Sequence, residues 1–188
     1  MASTYQNLSD YDPEKIPDAS GMSFAIAVAE WNHEITNSLL KACCDTLIKH
    51  GVKKDRIYIM HVPGAYELPK ACDWLTDFSW PIDKNQTTYP DAIIALGCVI
   101  TGETKHDEYI SNAVSDGMMK LNLDYELPYV FGLLTPRTME QAKDRAGGKH
   151  GNKGVEAAVT AIKMAHTFTT VVKENDDDPF YFEDLFPN

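Results

Sequence analysis

Residues 91–100 read DAIIALGCVI, an almost unbroken apolar run that turns polar again at Thr101. It is far too short to span a bilayer, and it has the length and composition of a strand buried on both faces, as in a parallel sheet. A loop, Thr101–Thr104, follows it, and then a stretch, Lys105–Leu123, that reads as a helix.

Three similar runs surround this one: Met22–Ala29 (MSFAIAVA), Arg56–Val62 (RIYIMHV) and Pro128–Leu134 (PYVFGLL). Between the first two, Ile35, Leu39, Cys43 and Leu47, with Leu40 beside them, form a stripe at helical spacing. Asn32 is placed to cap that helix and Gly51 to close it. Ala65–Phe78 reads as a second helix with Pro69 in its first turn, the position where proline is tolerated. Thr138–Ala146 reads as a short helix capped by Thr138, and Lys153–Lys173 as a long final one. Residues 79–90 (SWPIDKNQTTYP) read as a polar loop and Gly147–Asn152 as a glycine-rich turn. Strand and helix alternate four times, which predicts right-handed crossovers and an α/β domain: a four-stranded, mostly parallel sheet with helices on both faces. Ligands of such sheets bind beyond the carboxyl ends of the strands. That rule points to Glu30–Asn32, Pro63–Glu67, Gly97–His106 and Phe131–Thr135.

The chain has 188 residues with 17 lysines and arginines against 28 acids, a net charge of −11. This balance argues against nucleic acid or an anionic membrane as the main partner. Much of the excess is local, because Glu174, Asp176, Asp177, Asp178, Glu183 and Asp184 fall in one short tail without a base. The division expected is an arm over 1–20, one domain over 21–174 and an acidic, aromatic tail over 175–188. The tail is either disordered or docked through Phe180, Tyr181, Phe182 and Phe186 on a groove of an assembly. The four cysteines (Cys43, Cys44, Cys72, Cys98) have no paired spacing and lie in apolar stretches, which suits a reducing compartment. The first residues show no basic segment followed by an apolar one, so the cytoplasm is expected.

Four segments carry groups capable of chemistry, each with an ordinary alternative. Gly97–His106 leaves a buried strand and opens a helix, whose free N–H groups and Thr104 hydroxyl suit an anion, with His106 a turn away as a proton shuttle. The alternative is a plain strand–helix junction. Val62–Pro69 sets Tyr66 and Glu67 at the tip of the second strand, or is simply a turn with a dipole-favoured acid. Arg145–Gly154 gathers three cations and four glycines, fit for a phosphate or merely for a helix end. Trp31 stacks on a planar ligand or packs at a rim. His106, Asp107 and Glu108 are consecutive and point around a helix, and no zinc-protease or serine-hydrolase motif occurs, so no metal site is expected.

Taken in order, the stretches AEWN (29–32), VPGAYELP (62–69), GCVITGETKHDEYI (97–110), PYVFGLLT (128–135) and RAGGKHGNKGVEAA (145–158) resemble the 6,7-dimethyl-8-ribityllumazine synthases of riboflavin biosynthesis. The resemblance runs from about Met22 to Ala165. It implies a flavodoxin-like αβα sandwich. It also implies a transferase reaction in which 5-amino-6-(D-ribitylamino)uracil and 3,4-dihydroxy-2-butanone 4-phosphate give the lumazine, phosphate and water, with no cofactor. By position, Trp31 stacks on the pyrimidine. Ala65, Tyr66, Glu67, Cys98, Val99 and Ile100 line its pocket, and backbone groups of the third strand read the uracil edge. Asn32, Glu67 and Lys153 make polar contacts to the uracil or ribityl chain. Glu103, Thr104 and Arg145 hold the phosphate, Phe131 closes the aromatic sandwich and His106 transfers protons. The resemblance further implies that Phe131, Arg145 and Lys153 reach the site from an adjacent subunit. The oligomer would be a pentamer, extended in many members to an icosahedral 60-mer shell that can enclose riboflavin synthase. A pocket that binds flavin or lumazine without turnover, and a purely structural shell, are the rival readings. The filled positions Thr104, His106 and Arg145 favour catalysis. Lys105 beside the phosphate loop, Tyr66, the long 79–90 segment and the tail depart from the family pattern.

Overall fold

A computed structural model describes Asn7 and residues 9–173, so both expected fates of the tail lie outside the described residues. Strands β1 (Phe24–Ala29), β2 (Ile57–Val62), β3 (Ala92–Cys98) and β4 (Tyr129–Leu134) form one sheet in the order β2-β1-β3-β4, every neighbouring pair parallel. The helices are α1 (His33–Lys49), α2 (Leu68–Thr76), α3 (His106–Asp124), α4 (Met139–Asp144) and α5 (Lys153–Thr167). The expected α/β architecture and the four strands are therefore present.

The alternation of side chains along β1 shows how the three layers arise. Phe24, Ile26 and Val28 point into one core with Ile35, Leu39, Cys43 and Leu47 of α1 and Ala157, Ala158, Ala161 and Ile162 of α5. The small residues Ala25, Ala27 and Ala29 point to the other face, toward Leu68, Ala71 and Leu75 of α2 and Val114, Met118 and Leu121 of α3. Both faces of β1 and β3 are covered, which is why these strands carry no polar residue. Each fully buried branched or aromatic side chain contributes about 1.5–3 kcal/mol, so the two cores dominate the fold's stability. Alanine lets α5 lie close to α1. The approach is tightest at Gly154, where a Cβ would overlap the Leu39 carbonyl.

The register fixes the site. Ala29 pairs with Val62, and Cys98 with Leu134, so the carboxyl ends of neighbouring strands open on the same side of the sheet. Gly51 (φ 99°) ends α1, and Thr138 Oγ1 accepts from Gln141 N at 3.2 Å to cap α4, as expected.

Three expectations need correction. The 79–90 segment is not a featureless loop: residues 80–81 and 87–88 pair as a small antiparallel hairpin. Its anchor is Trp80, buried against Tyr58 and Phe78 and donating its indole N–H to the Asp55 carbonyl at 2.9 Å. The glycine-rich turn is likewise a hairpin, Ala146–Gly148 against Gly151–Asn152, with Gly147 (φ 110°) and Gly151 (φ 80°) in the left-handed region. The final helix is α-helical only to Thr167 and widens into a π-helical turn over Phe168–Lys173. At the other end, Ile16 and Ala19 pack against the core beneath α1. No helix among the described residues is long and apolar enough to cross a membrane.

Candidate active site

Beyond the ends of β1, β2 and β3 lies a cavity of about 920 Å³. Trp31, Asn32, Ala65, Tyr66, Glu67, Cys98, Val99, Ile100, Thr104 and His106 all stand on its wall, as do Gly102, Asp107, Tyr109 and Ile110.

The turn after β1 keeps its pairing with the end of β2, since Glu30 N donates to Val62 O at 2.8 Å and Trp31 N to Pro63 O at 3.2 Å. Asn32 then takes up φ 60°, ψ 44°, and is the non-glycine residue of positive φ among the described residues. This left-handed step ends the strand and starts α1 at His33. It corrects the capping expectation: the Asn32 side chain makes no cap hydrogen bond. Its Nδ2 instead donates to the Cys98 carbonyl at 2.8 Å, tying the end of β1 to the end of β3. Asparagine tolerates this backbone better than other side chains do. Its neighbour Trp31 is left 73% exposed at the cavity mouth, and Tyr66 60% exposed. Large apolar rings exposed in a concavity offer faces on which a planar group can stack.

On the β2 side, a 3₁₀ turn at Ala65–Glu67 carries the chain into α2, and the Glu67 carboxylate folds back over Gly64 so closely that a Cβ there would lie 3.1 Å from it. On the β3 side, two backbone groups already have partners: Val99 N donates to Leu134 O at 2.8 Å, and Cys98 O receives Asn32. The Cys98 thiol is pushed up to about 11 by burial, so it stays protonated at neutral pH and is no nucleophile. The loop 99–105 leads into α3, whose first N–H groups lack a side-chain cap from Lys105 and face the anion-favouring end of the helix dipole. His106 is the first residue of α3, and Tyr109, one turn on and 69% exposed, stands on the same wall. Tyr109 escaped the sequence reading, although its i,i+3 spacing from His106 is the signal that would have found it.

Among the described residues, two carboxylates and an imidazole stand on the wall, but no lysine or arginine does. The cations lie elsewhere. Phe131, on the edge strand β4, and Lys153, at the start of α5, line a separate hollow of about 290 Å³ with Tyr129 and Met164. Arg145 sits beside them: its Nη1 donates to His150 O at 2.7 Å and its Nη2 lies 2.7 Å from Glu156 Oε1. Lys153 Nζ reaches Glu156 Oε2 at 3.2 Å. The exposed Glu103 is not a wall residue of either hollow. Glu156 is a second group the sequence reading passed over, although it stands one turn from Lys153. Among the described residues no group of three or more His, Cys, Asp or Glu is arranged to hold a metal ion.

Comparison with known proteins adds an independent observation. The model of the 6,7-dimethyl-8-ribityllumazine synthase family matches residues 21–169. Relatives bearing that name include proteins of Parabacteroides distasonis, 51% identical over 88% of this chain and 98% of the relative, and of Porphyromonas gingivalis, 51% identical over 88% and 97%. A third, from Cytophaga hutchinsonii, is 49% identical over 87% of this chain and 97% of its own.

Proposed function

The chain belongs to the 6,7-dimethyl-8-ribityllumazine synthase family, and we propose that its large cavity is the reaction chamber, completed by Phe131, Arg145 and Lys153 of a second copy. The reaction is a transferase step of riboflavin biosynthesis: 5-amino-6-(D-ribitylamino)uracil and 3,4-dihydroxy-2-butanone 4-phosphate give 6,7-dimethyl-8-ribityllumazine, phosphate and water. The observation that carries the proposal is the division of groups just described. One wall set holds aromatics, an imidazole and a helix N-terminus, while the cations a phosphorylated substrate needs stand on another edge of the molecule.

In this reading the pyrimidine stacks on Trp31, with Ala65, Tyr66, Cys98, Val99 and Ile100 around it and Asn32, Glu67 and the partner copy's lysine at its polar groups. The partner copy's phenylalanine closes the sandwich. The phosphate rests between the start of α3, with Glu103 and Thr104, and the arginine of the second copy. The 5-amino group attacks the ketone, and water leaves as the imine forms. That imine acidifies the adjacent C–H; as its proton departs, the C–O bond to phosphate breaks and an enol remains. The enol becomes a ketone, which the ribityl-bearing nitrogen attacks, and a second water leaves as the ring closes. His106 takes and returns these protons, an assistance of about 10²–10⁴-fold. Holding both substrates in one chamber contributes more. The same reading places the chain in the cytoplasm as a pentamer. The compact 147–152 hairpin is compatible with an icosahedral shell, and riboflavin synthase is the corresponding cargo.

The decisive experiment is complementation in mixed oligomers. With the ketone held near its wild-type KM, His106→Ala and Arg145→Ala proteins are each expected to turn over far more slowly than wild type. Unfolded together and refolded, they should regain part of the wild-type rate, because some chambers then combine an intact histidine with an intact arginine. A mixture no more active than its components rules out a site shared in this way.

A further inference from the structure

We propose that Glu156 is a positioning residue whose one carboxylate holds Arg145 and Lys153 at a fixed spacing, and thereby sets how the two substrates meet. The inference rests on the assignment of Arg145 to the phosphate and Lys153 to the ribityl-bearing substrate.

The three side chains form a half-buried cluster, with Arg145 20%, Glu156 19% and Lys153 26% exposed. Each carboxylate oxygen faces a different cation, Oε1 the guanidinium at 2.7 Å and Oε2 the ammonium at 3.2 Å. Two cations sharing so small a volume would repel. One acid between them removes that repulsion and leaves the cluster with a net positive charge, still attractive to a phosphate.

Orientation is the stronger argument. Arg145 is gripped from both sides, by the His150 carbonyl at Nη1 and by Glu156 at Nη2, so its planar fork is fixed before any ligand arrives. The main chain couples the same two cationic residues, since Lys153 N donates to Arg145 O at 2.9 Å. The base of the cluster is rigid. Asn152 caps α5 by accepting from Gly154 N at 2.8 Å, and Gly154 is pressed against the Leu39 carbonyl of α1. Glu156 projects from that anchored first turn. Oε1 lacks an aligned hydrogen bond despite its ion-pair distance. Glu156 therefore holds Nη2 by charge and proximity, while the directed bond to the guanidinium is the one from Nη1 to the His150 carbonyl.

The test is steady-state kinetics of Glu156→Gln, with each substrate varied in turn, beside Arg145→Ala and the double variant. Positioning predicts that Glu156→Gln raises both KM values about tenfold, whereas Arg145→Ala raises only that of the phosphorylated ketone. In the double variant the ketone's KM should be no worse than in Arg145→Ala alone, because Glu156 acts on that substrate through the arginine. Should Glu156→Gln fail to fold, Glu156→Asp keeps the charge, withdraws it by one methylene and is expected to raise both KM values by a smaller factor. A lowered melting temperature with both KM values at the wild-type level would mean a purely structural ion pair and overturn the proposal. The reaction would then still stand on the wild-type turnover. A wild type that fails to join the two substrates removes the underlying reading as well.

Discussion

The chamber beyond β1–β3 and the edge formed by β4 and α5 are built on opposite plans. The chamber is wide and rimmed by exposed aromatic rings, and its only basic wall side chain among the described residues is the imidazole of His106. The edge is small, and its charges are already paired through Glu156. Exposed rings retain their apolar surface for a planar ligand, while cations without a counter-charge would repel each other and move. In the proposed reading each region meets a need the other cannot, because one substrate is planar and the other is phosphorylated.

The largest expected effects separate the two regions by which kinetic constant moves. His106→Ala, in the chamber, should lower kcat about 10²–10⁴-fold with little change in the ketone's KM. Arg145→Ala, at the edge, should raise that KM roughly tenfold to a hundredfold, the range for losing a hydrogen bond to a charged group. If both variants lowered kcat alone, the division of labour between the regions would be wrong.

A smaller effect tests the chamber's frame. Asn32→Gly and Asn32→Ala both lose the tie to the Cys98 carbonyl, but only alanine also suffers in the left-handed backbone. The alanine variant should therefore unfold about 1–2 kcal/mol more easily than the glycine variant, as chemical denaturation would measure. Equal stabilities would show that backbone conformation is not what selects asparagine here.

The smallest effect belongs to neither region and serves as a control. His50, whose Nε2 lies 3.0 Å from the Tyr11 hydroxyl, has its pKa lowered by burial and then by Lys49. The folded protein thus takes up this proton at lower pH than the unfolded chain. The associated stability is present above the ordinary histidine pKa of about 6.5 and is lost as pH falls through the lowered value. Melting temperatures between neutral pH and pH 5 should decline slightly more in wild type than in His50→Gln, with kinetics of the two equal at neutral pH.

How far the sequence reaches is clearest at particular residues. The α1 stripe was legible because Ile35, Leu39, Cys43 and Leu47 repeat at the helical period, and all four are buried. Asn32 was misread. Its position before a helix favours capping, and only the proximity of the end of β3 redirects its amide. Trp80 lay hidden in a polar segment because its burial depends on Tyr58 and Phe78 folding beneath it. Glu156 is one turn from Lys153 in the sequence, but its second partner, Arg145, is brought to it only by the hairpin between them.

Alone, the sequence determined the alternation of strands and helices, the family, and the segments where chemistry gathers, because hydrophobic periodicity and short motifs are local properties of a chain. Only the tertiary structure decided that Trp31 and His106 share one wall, that Arg145 and Lys153 do not, and that one carboxylate spans the two cations. Those relations follow from strand order and from the close packing of α5 on α1, and distance across a fold is written in no single segment.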